Sequence, residues 1–207
     1  MSNLLTYKFM SKIYGLLDVV YFRKKNFSPR NAVCSQIQGL NLKILDMCTG
    51  TGQSIINVAE RNPTAEITAV DLSPEMLEIA QRDIHARKLK NIQIMLGDAT
   101  NTNLPNNSFD IITISLVLHE LPPELAAKIL AEARRLLNED GKLIVTEWER
   151  PSKLVQKIIF LPIELLEPKP YKKFIKTDMN DYFDKHNLEL KQTIHCDYSR
   201  VLVLRKK

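Results

Sequence analysis

Three carboxylates and two glycines are the residues of this chain best placed to do chemistry. Gly50 and Gly52 stand in Met47-Cys48-Thr49-Gly50-Thr51-Gly52, a turn that follows the apolar pair Ile44-Leu45 and the acid Asp46. Nineteen residues beyond Gly52, the apolar, β-branched run Ile67 to Val70 ends in Asp71. A further turn, Gly97-Asp98-Ala99, follows a third apolar run. Such a unit presents glycine backbone at the carboxyl end of one strand and a carboxylate at the end of its neighbour. That is where open α/β sheets bind nucleoside cofactors.

The elements that must hold these groups are legible around them. A helix opens at the glycine turn and stops near Arg61, ahead of Asn62-Pro63. Leu72-Ser73-Pro74-Glu75 is a helix start, with Ser73 as acceptor for free first-turn N–H groups, Pro74 where no donor is needed and Glu75 complementing the dipole. That helix runs to about Lys88, and Ile92 to Leu96 alternates into a third strand. Asn101 to Asn107 is a loop, and Phe109 to Ser115 is a strand apolar enough to be covered on both faces. A helix from Pro122-Pro123-Glu124 to Leu137, a turn at Asp140-Gly141 and a strand from Lys142 to Thr146 complete an alternation that predicts a doubly wound, mostly parallel sheet.

The flanks differ. Leu4 to Phe22 has helical apolar spacing, with Tyr7 and Tyr14 on it, and a shorter helix is expected from about Asn31 to Ile37. Beyond Pro151, Lys153 to Phe174 is amphipathic and broken by prolines, and Thr177 to His186 reads as a short helix with Tyr182 and Phe183 inward. Leu188 to His195 and Arg200 to Leu204 are two strands whose short connection makes them antiparallel. The expectation is one α/β domain over 1–207 with a seven-stranded sheet. It divides into an N-terminal helical cover (1–41), a cofactor-binding core (42–150), a substrate-side cover (151–180) and a C-terminal helix end with hairpin (181–207).

Composition narrows the partners. Lys and Arg outnumber acids seven to one over 1–43 and thirteen to seven over 150–207, whereas the middle has nine against sixteen. The overall excess of +5 therefore says little for nucleic acid, while the basic ends suit an anionic acceptor or reversible contact with an anionic membrane. Cys34, Cys48 and Cys196 lack metal-ligand spacing and suggest a reducing cytoplasm. No signal peptide or membrane span is expected, since Lys8, Lys12 and Asp18 interrupt the apolar N-terminal stretch.

Taken together, LDMCTGTG, AVDLSPEMLEIA, Gly97-Asp98-Ala99, SFDIITISLVLHEL and GKLIVTEWERP resemble class I S-adenosylmethionine-dependent methyltransferases, in particular the small-molecule branch of ubiquinone and menaquinone biosynthesis. The resemblance is strong over about Leu42 to Pro151. It implies S-adenosylmethionine as cofactor, S-adenosylhomocysteine as product and no metal. It places Thr49, Gly50, Thr51 and Gly52 around the methionine carboxylate, Asp46 at its amino group, Asp71 on the ribose hydroxyls, and Asp98 with the Ala99 N–H on the adenine. Leu72, Met76 and Leu116 would wall the adenine, with Ser115 and Leu118 beside the sulfonium. His119 and Glu120 are candidates for deprotonating or orienting a nucleophile. The chain departs from the family pattern at Cys48, where a glycine is usual. Two other readings compete: a binding module without acceptor, and a nicotinamide-dependent oxidoreductase, which wants a third glycine where Ile55 stands.

Overall fold

The computed structural model describes residues 28–167 and 169–207; the helix expected over Leu4 to Phe22 lies outside them. Helix α1 (Pro29–Gln36) leads to strand β1 (Lys43–Met47), helix α2 (Gln53–Arg61), strand β2 (Glu66–Asp71), helix α3 (Pro74–Ala86) and strand β3 (Ile92–Leu96). Strand β4 (Phe109–Ser115), helix α4 (Pro123–Leu136) and strand β5 (Leu137–Trp148) follow. Helices α5 (Leu154–Leu166), α6 (Lys169–Phe174) and α7 (Met179–Asp184) then precede strands β6 (Leu188–His195) and β7 (Ser199–Lys206). The sheet order is β3-β2-β1-β4-β5-β7-β6, with only β7 antiparallel to its neighbours. An all-parallel dinucleotide fold lacks such a reversed strand between its fifth and its last.

Alternation along the central strands builds the two faces. Leu45, Ile112 and Val145 point to one core with Ala126, Ile129, Leu130 and Ala133 of α4, while Ile44, Ile111 and Ile144 point to another with Val33 of α1 and Val58 of α2. Burial on both sides is why these strands read as continuous apolar runs. At β3, the sheet edge, burial falls to partial, as its mixed sequence IQIML suggests.

The turn expected at Asp140-Gly141 does not end the helix before a separate strand. α4 ends at Leu136 and β5 begins at Leu137, pairing with Phe109 before the register jumps to Lys142 opposite Ile111. Residues 138–141 bulge out between these pairs. In the loop before β4, Glu132 of α4 is buried and accepts from both the N–H and the hydroxyl of Thr102, at 2.8 and 2.7 Å. Its hydrogen bonds with Arg135 and Thr102 hold this carboxyl down to about 2.

Candidate active site

The turn after β1 is built from left-handed backbone: φ is 58° at Cys48, 56° at Gly50 and 76° at Gly52. The Thr49 N–H donates to the Val70 carbonyl at 3.0 Å, and the Thr49 hydroxyl to the Asp46 carbonyl at 3.0 Å, so the turn is tied to both strands beneath it. At Gly50 an added Cβ would meet nothing within 4 Å among the described residues, so a ligand can approach this backbone closely. At Gly52 the same atom would lie 2.9 Å from the Ala80 Cβ, so this glycine lets α2 start hard against α3. Gly52→Ala is expected to lose about 2–4 kcal/mol in chemical denaturation, from left-handed strain and overpacking together. A loss under about 1 kcal/mol would mean that this contact relaxes freely.

Asp46 is 2% exposed and accepts from the Thr113 hydroxyl at 2.5 Å, its register partner on β4. Burial pushes its carboxyl up to about 6, against the hydrogen bonds of Thr113 and Thr49 and with a further push from Asp71. Asp71 spends one lone pair of each oxygen on the chain itself: Oδ2 accepts the Gly50 N–H at 2.7 Å and Oδ1 the Ser73 N–H at 2.9 Å. The β2 acid thus braces the turn opposite and the start of α3, and each oxygen keeps a second lone pair. Asp98 caps its own turn, Oδ1 accepting the N–H and hydroxyl of Thr100, both at 2.8 Å, which lowers its pKa.

These three acids have one neighbour in common. Burial and the charges of Asp71, Asp46 and Asp98, in that order, push the Cys48 thiol up to about 12. Backbone bonds bring the same strand ends together, the Thr49 N–H donating to the Val70 carbonyl and the Gly97 N–H to the Asp71 carbonyl, both at 3.0 Å, and the raised Cys48 thiol is a poor nucleophile. Leu72 is 70% exposed beside Asp71, an apolar side chain left open at the rim, and Met76 is half-buried a turn along α3. Ala99 is buried in the core next to Asp98, and Thr51 lies half-buried in the glycine turn. Ser115 meets Ser54 of α2 at 3.4 Å between their hydroxyl oxygens, which closes the turn on the β4 side.

Leu116, with φ at 57°, is half-buried and packs on one side against the cluster of Trp148, Phe160, Ile163, Tyr171 and Tyr198. Leu118 is 1% exposed within the main core, so no part of it lines an open site.

Past β4 a second polar group is assembled beneath the cover. His119 is 1% exposed, its Nδ1 2.5 Å from Oε2 of the fully buried Glu147, whose Oε1 accepts the Leu118 N–H at 2.9 Å. On the other side Nε2 lies 3.2 Å from Oε2 of Glu167 and 3.7 Å from Oε1 of Glu120. Glu167, the residue that caps α5, also accepts from Trp148 Nε1 at 2.9 Å. Burial disfavours the imidazolium, yet Glu147 and Glu167 outweigh it and raise His119 to about 10. Protonated at neutral pH, the imidazole has no lone pair with which to take a proton from an acceptor. The general-base role expected for His119 from its place after β4 therefore does not fit its surroundings. Sequence spacing drew attention to His119 and Glu120 but not to Glu147 or Glu167; the latter arrives from α5 with no periodicity to announce it.

A family model described as "Methyltransferase domain" matches residues 44–141. That match spans strands β1 to β4 and the acids at the ends of β1 to β3, and the fold is that of S-adenosylmethionine-dependent methyltransferases. Among curated proteins it is similar to the demethylmenaquinone methyltransferase of Lactobacillus johnsonii, 32% identical over 140 residues, covering 67% of this chain and 56% of that protein. The chain spans about half the length of the curated relatives it matches. Among solved structures, an S-adenosylmethionine-dependent methyltransferase from Aquifex aeolicus superposes with a TM-score of 0.74 at 18% identity, covering 95% of this chain and 98% of that one. The magnesium protoporphyrin IX methyltransferase of Synechocystis, solved with bound S-adenosylhomocysteine, gives 0.66 at 18% identity over 86% and 82%. These likenesses give the fold. The accessible glycine backbone at Gly50, with Asp46 and Asp71 bonded to the same turn, suits a cationic, hydroxyl-rich nucleoside cofactor such as S-adenosylmethionine.

Proposed function

We propose that this chain transfers the methyl group of S-adenosylmethionine to a small, apolar acceptor by in-line displacement. The observation that supports this best is the meeting of three strand ends at the glycine turn, where the Thr49 hydroxyl donates to the Asp46 carbonyl, Asp71 accepts the Gly50 N–H, and the Asp71 carbonyl accepts the Gly97 N–H beside Asp98. In this reading Asp46 holds the methionine ammonium, the turn from Thr49 to Gly52 offers N–H groups to its carboxylate, Asp71 accepts from the ribose, and Asp98 with Ala99 meets the adenine. The sulfonium supplies an activated methyl, so the remaining work is alignment and exclusion of water. His119 and Glu120 then orient the acceptor side of the rim instead of removing a proton.

A lipid-like acceptor is supported by two features. The relatives' name, demethylmenaquinone methyltransferase, describes a hydrophobic quinone substrate. On α5, Leu154, Val155, Ile158, Ile159, Leu161 and Leu165 are all exposed, by 40–75%, beside the exposed Lys153 and Lys157. No helix among the described residues is long and apolar enough to cross a membrane, so contact through α5 would be peripheral. The test is methyl transfer from radiolabelled cofactor to a panel of quinols, phenols and amines, with and without vesicles. Labelling of an apolar ring acceptor is the expected result, whereas bound cofactor with no labelled product from any acceptor would favour a binding module. Co-sedimentation is expected to be greater with anionic than with neutral vesicles, and equal or absent binding to both would remove the membrane contact.

A further inference from the structure

The group behind β4, centred on the buried His119, has the donor set and the spacing of a metal centre. His119 offers Nε2, Glu120 and Glu167 one carboxylate oxygen each, and the three atoms all lie within 4.8 Å of one another. A cation bound at about 2.0–2.2 Å holds its ligand atoms roughly 3–4.4 Å apart, so little movement separates the observed triangle from a coordinating one. Among the described residues, His119 Nε2 is buried with no hydrogen-bond partner of suitable geometry, and Glu167 lies within ion-pair distance of it at 3.2 Å. Its other nitrogen is held by Glu147 at 2.5 Å, the carboxylate–histidine arrangement that fixes the tautomer and aims the free nitrogen at a metal. Glu147 in turn is anchored by the Leu118 N–H, and Glu167 by Trp148 Nε1, so both carboxylates arrive already oriented.

We infer that His119, Glu120 and Glu167 bind one divalent transition cation, with Glu147 as the second-sphere support of the imidazole. One imidazole with two carboxylates suits Mn²⁺ or Zn²⁺ better than Ca²⁺, which takes six or more oxygens. Three carboxylates gather here against His119 and the nearby Arg200, which faces Glu147 from β7. Because Glu120 follows β4 and Glu167 ends α5, occupancy would pin the cover to the rim of the sheet.

Mn²⁺ titration of the full chain, followed by loss of the free-ion electron paramagnetic signal, tests this apart from any enzymatic activity and avoids the thiols that compete for Zn²⁺. One equivalent is expected to bind, and to slow proteolysis between Arg150 and Lys176. Glu120→Gln, at a carboxylate 42% exposed, and Glu167→Gln, which can still accept from Trp148, are each expected to weaken binding tenfold or more. The inference is overturned if the folded protein binds no stoichiometric Mn²⁺, or if both variants bind it as the wild type does.

Discussion

Replacing Asp71 by alanine is expected to weaken S-adenosylmethionine binding well beyond tenfold, about 1.4 kcal/mol, in titration calorimetry. Two losses combine. The ribose hydroxyls lose a charged acceptor, and the Gly50 and Ser73 N–H groups lose the oxygens that hold them at 2.7 and 2.9 Å. Hydrogen bonds to a charged group contribute about 1.5–3 kcal/mol each, so the unliganded protein should also melt earlier. Asp71→Asn separates the two parts. Its amide oxygen can still accept one of the two N–H groups, so melting should recover partly while affinity remains low. Unchanged affinity in Asp71→Ala would move the ribose site to another residue.

Asp46→Asn is expected to have opposite effects on stability and on binding. In the folded protein burial lifts the Asp46 carboxyl from 3.8 to about 6, so the native state holds its proton more tightly than the unfolded chain does. Its contribution to stability is therefore fully present below about pH 4 and is lost as pH rises through 6. Above that, the ionised acid destabilises the fold by something on the order of 3 kcal/mol, at roughly 1.4 kcal/mol per unit. Asparagine keeps the acceptor for the Thr113 hydroxyl and never ionises. The variant should melt several degrees higher at pH 8, at about 2–4 °C per kcal/mol for a chain of this size, and show no gain at pH 4. Cofactor affinity should meanwhile fall at least tenfold at pH 8, since a cationic ammonium loses its counter-charge. Wild-type affinity should decline as pH drops below about 6 and that of Asp46→Asn should stay flat. Equal melting temperatures at pH 8 would show that Asp46 is not ionised at a cost.

The parallel core was legible because its strands are buried on both faces and its helices carry their own start signals, as at Ser73-Pro74, where the Ser73 hydroxyl accepts the Met76 N–H as expected. The reversed hairpin could be read from the four-residue connection after His195. What sequence could not supply was register and long-range approach. The bulge at 138–141 depends on how β5 pairs with β4, and Leu116 is turned toward Trp148 by a left-handed backbone that no leucine advertises. Glu167 likewise lies twenty residues from Glu147 in the chain, yet both address one imidazole. Asp71 was recognisable as an acceptor, but its bracing of the Gly50 turn required the two strand ends to be seen side by side.

The place of β7 between β5 and β6 has a consequence for biogenesis. The flank of β5 from Leu143 to Trp148 can find its partner only in residues 199–204, made more than fifty residues later. On the ribosome, strands β1 to β5 can emerge and pair while that flank remains a bare, apolar edge, open to pairing with other chains. Shielding of this edge by a holdase chaperone, and aggregation of nascent chains stalled before Ser199, would follow from the order in which the strands are synthesised.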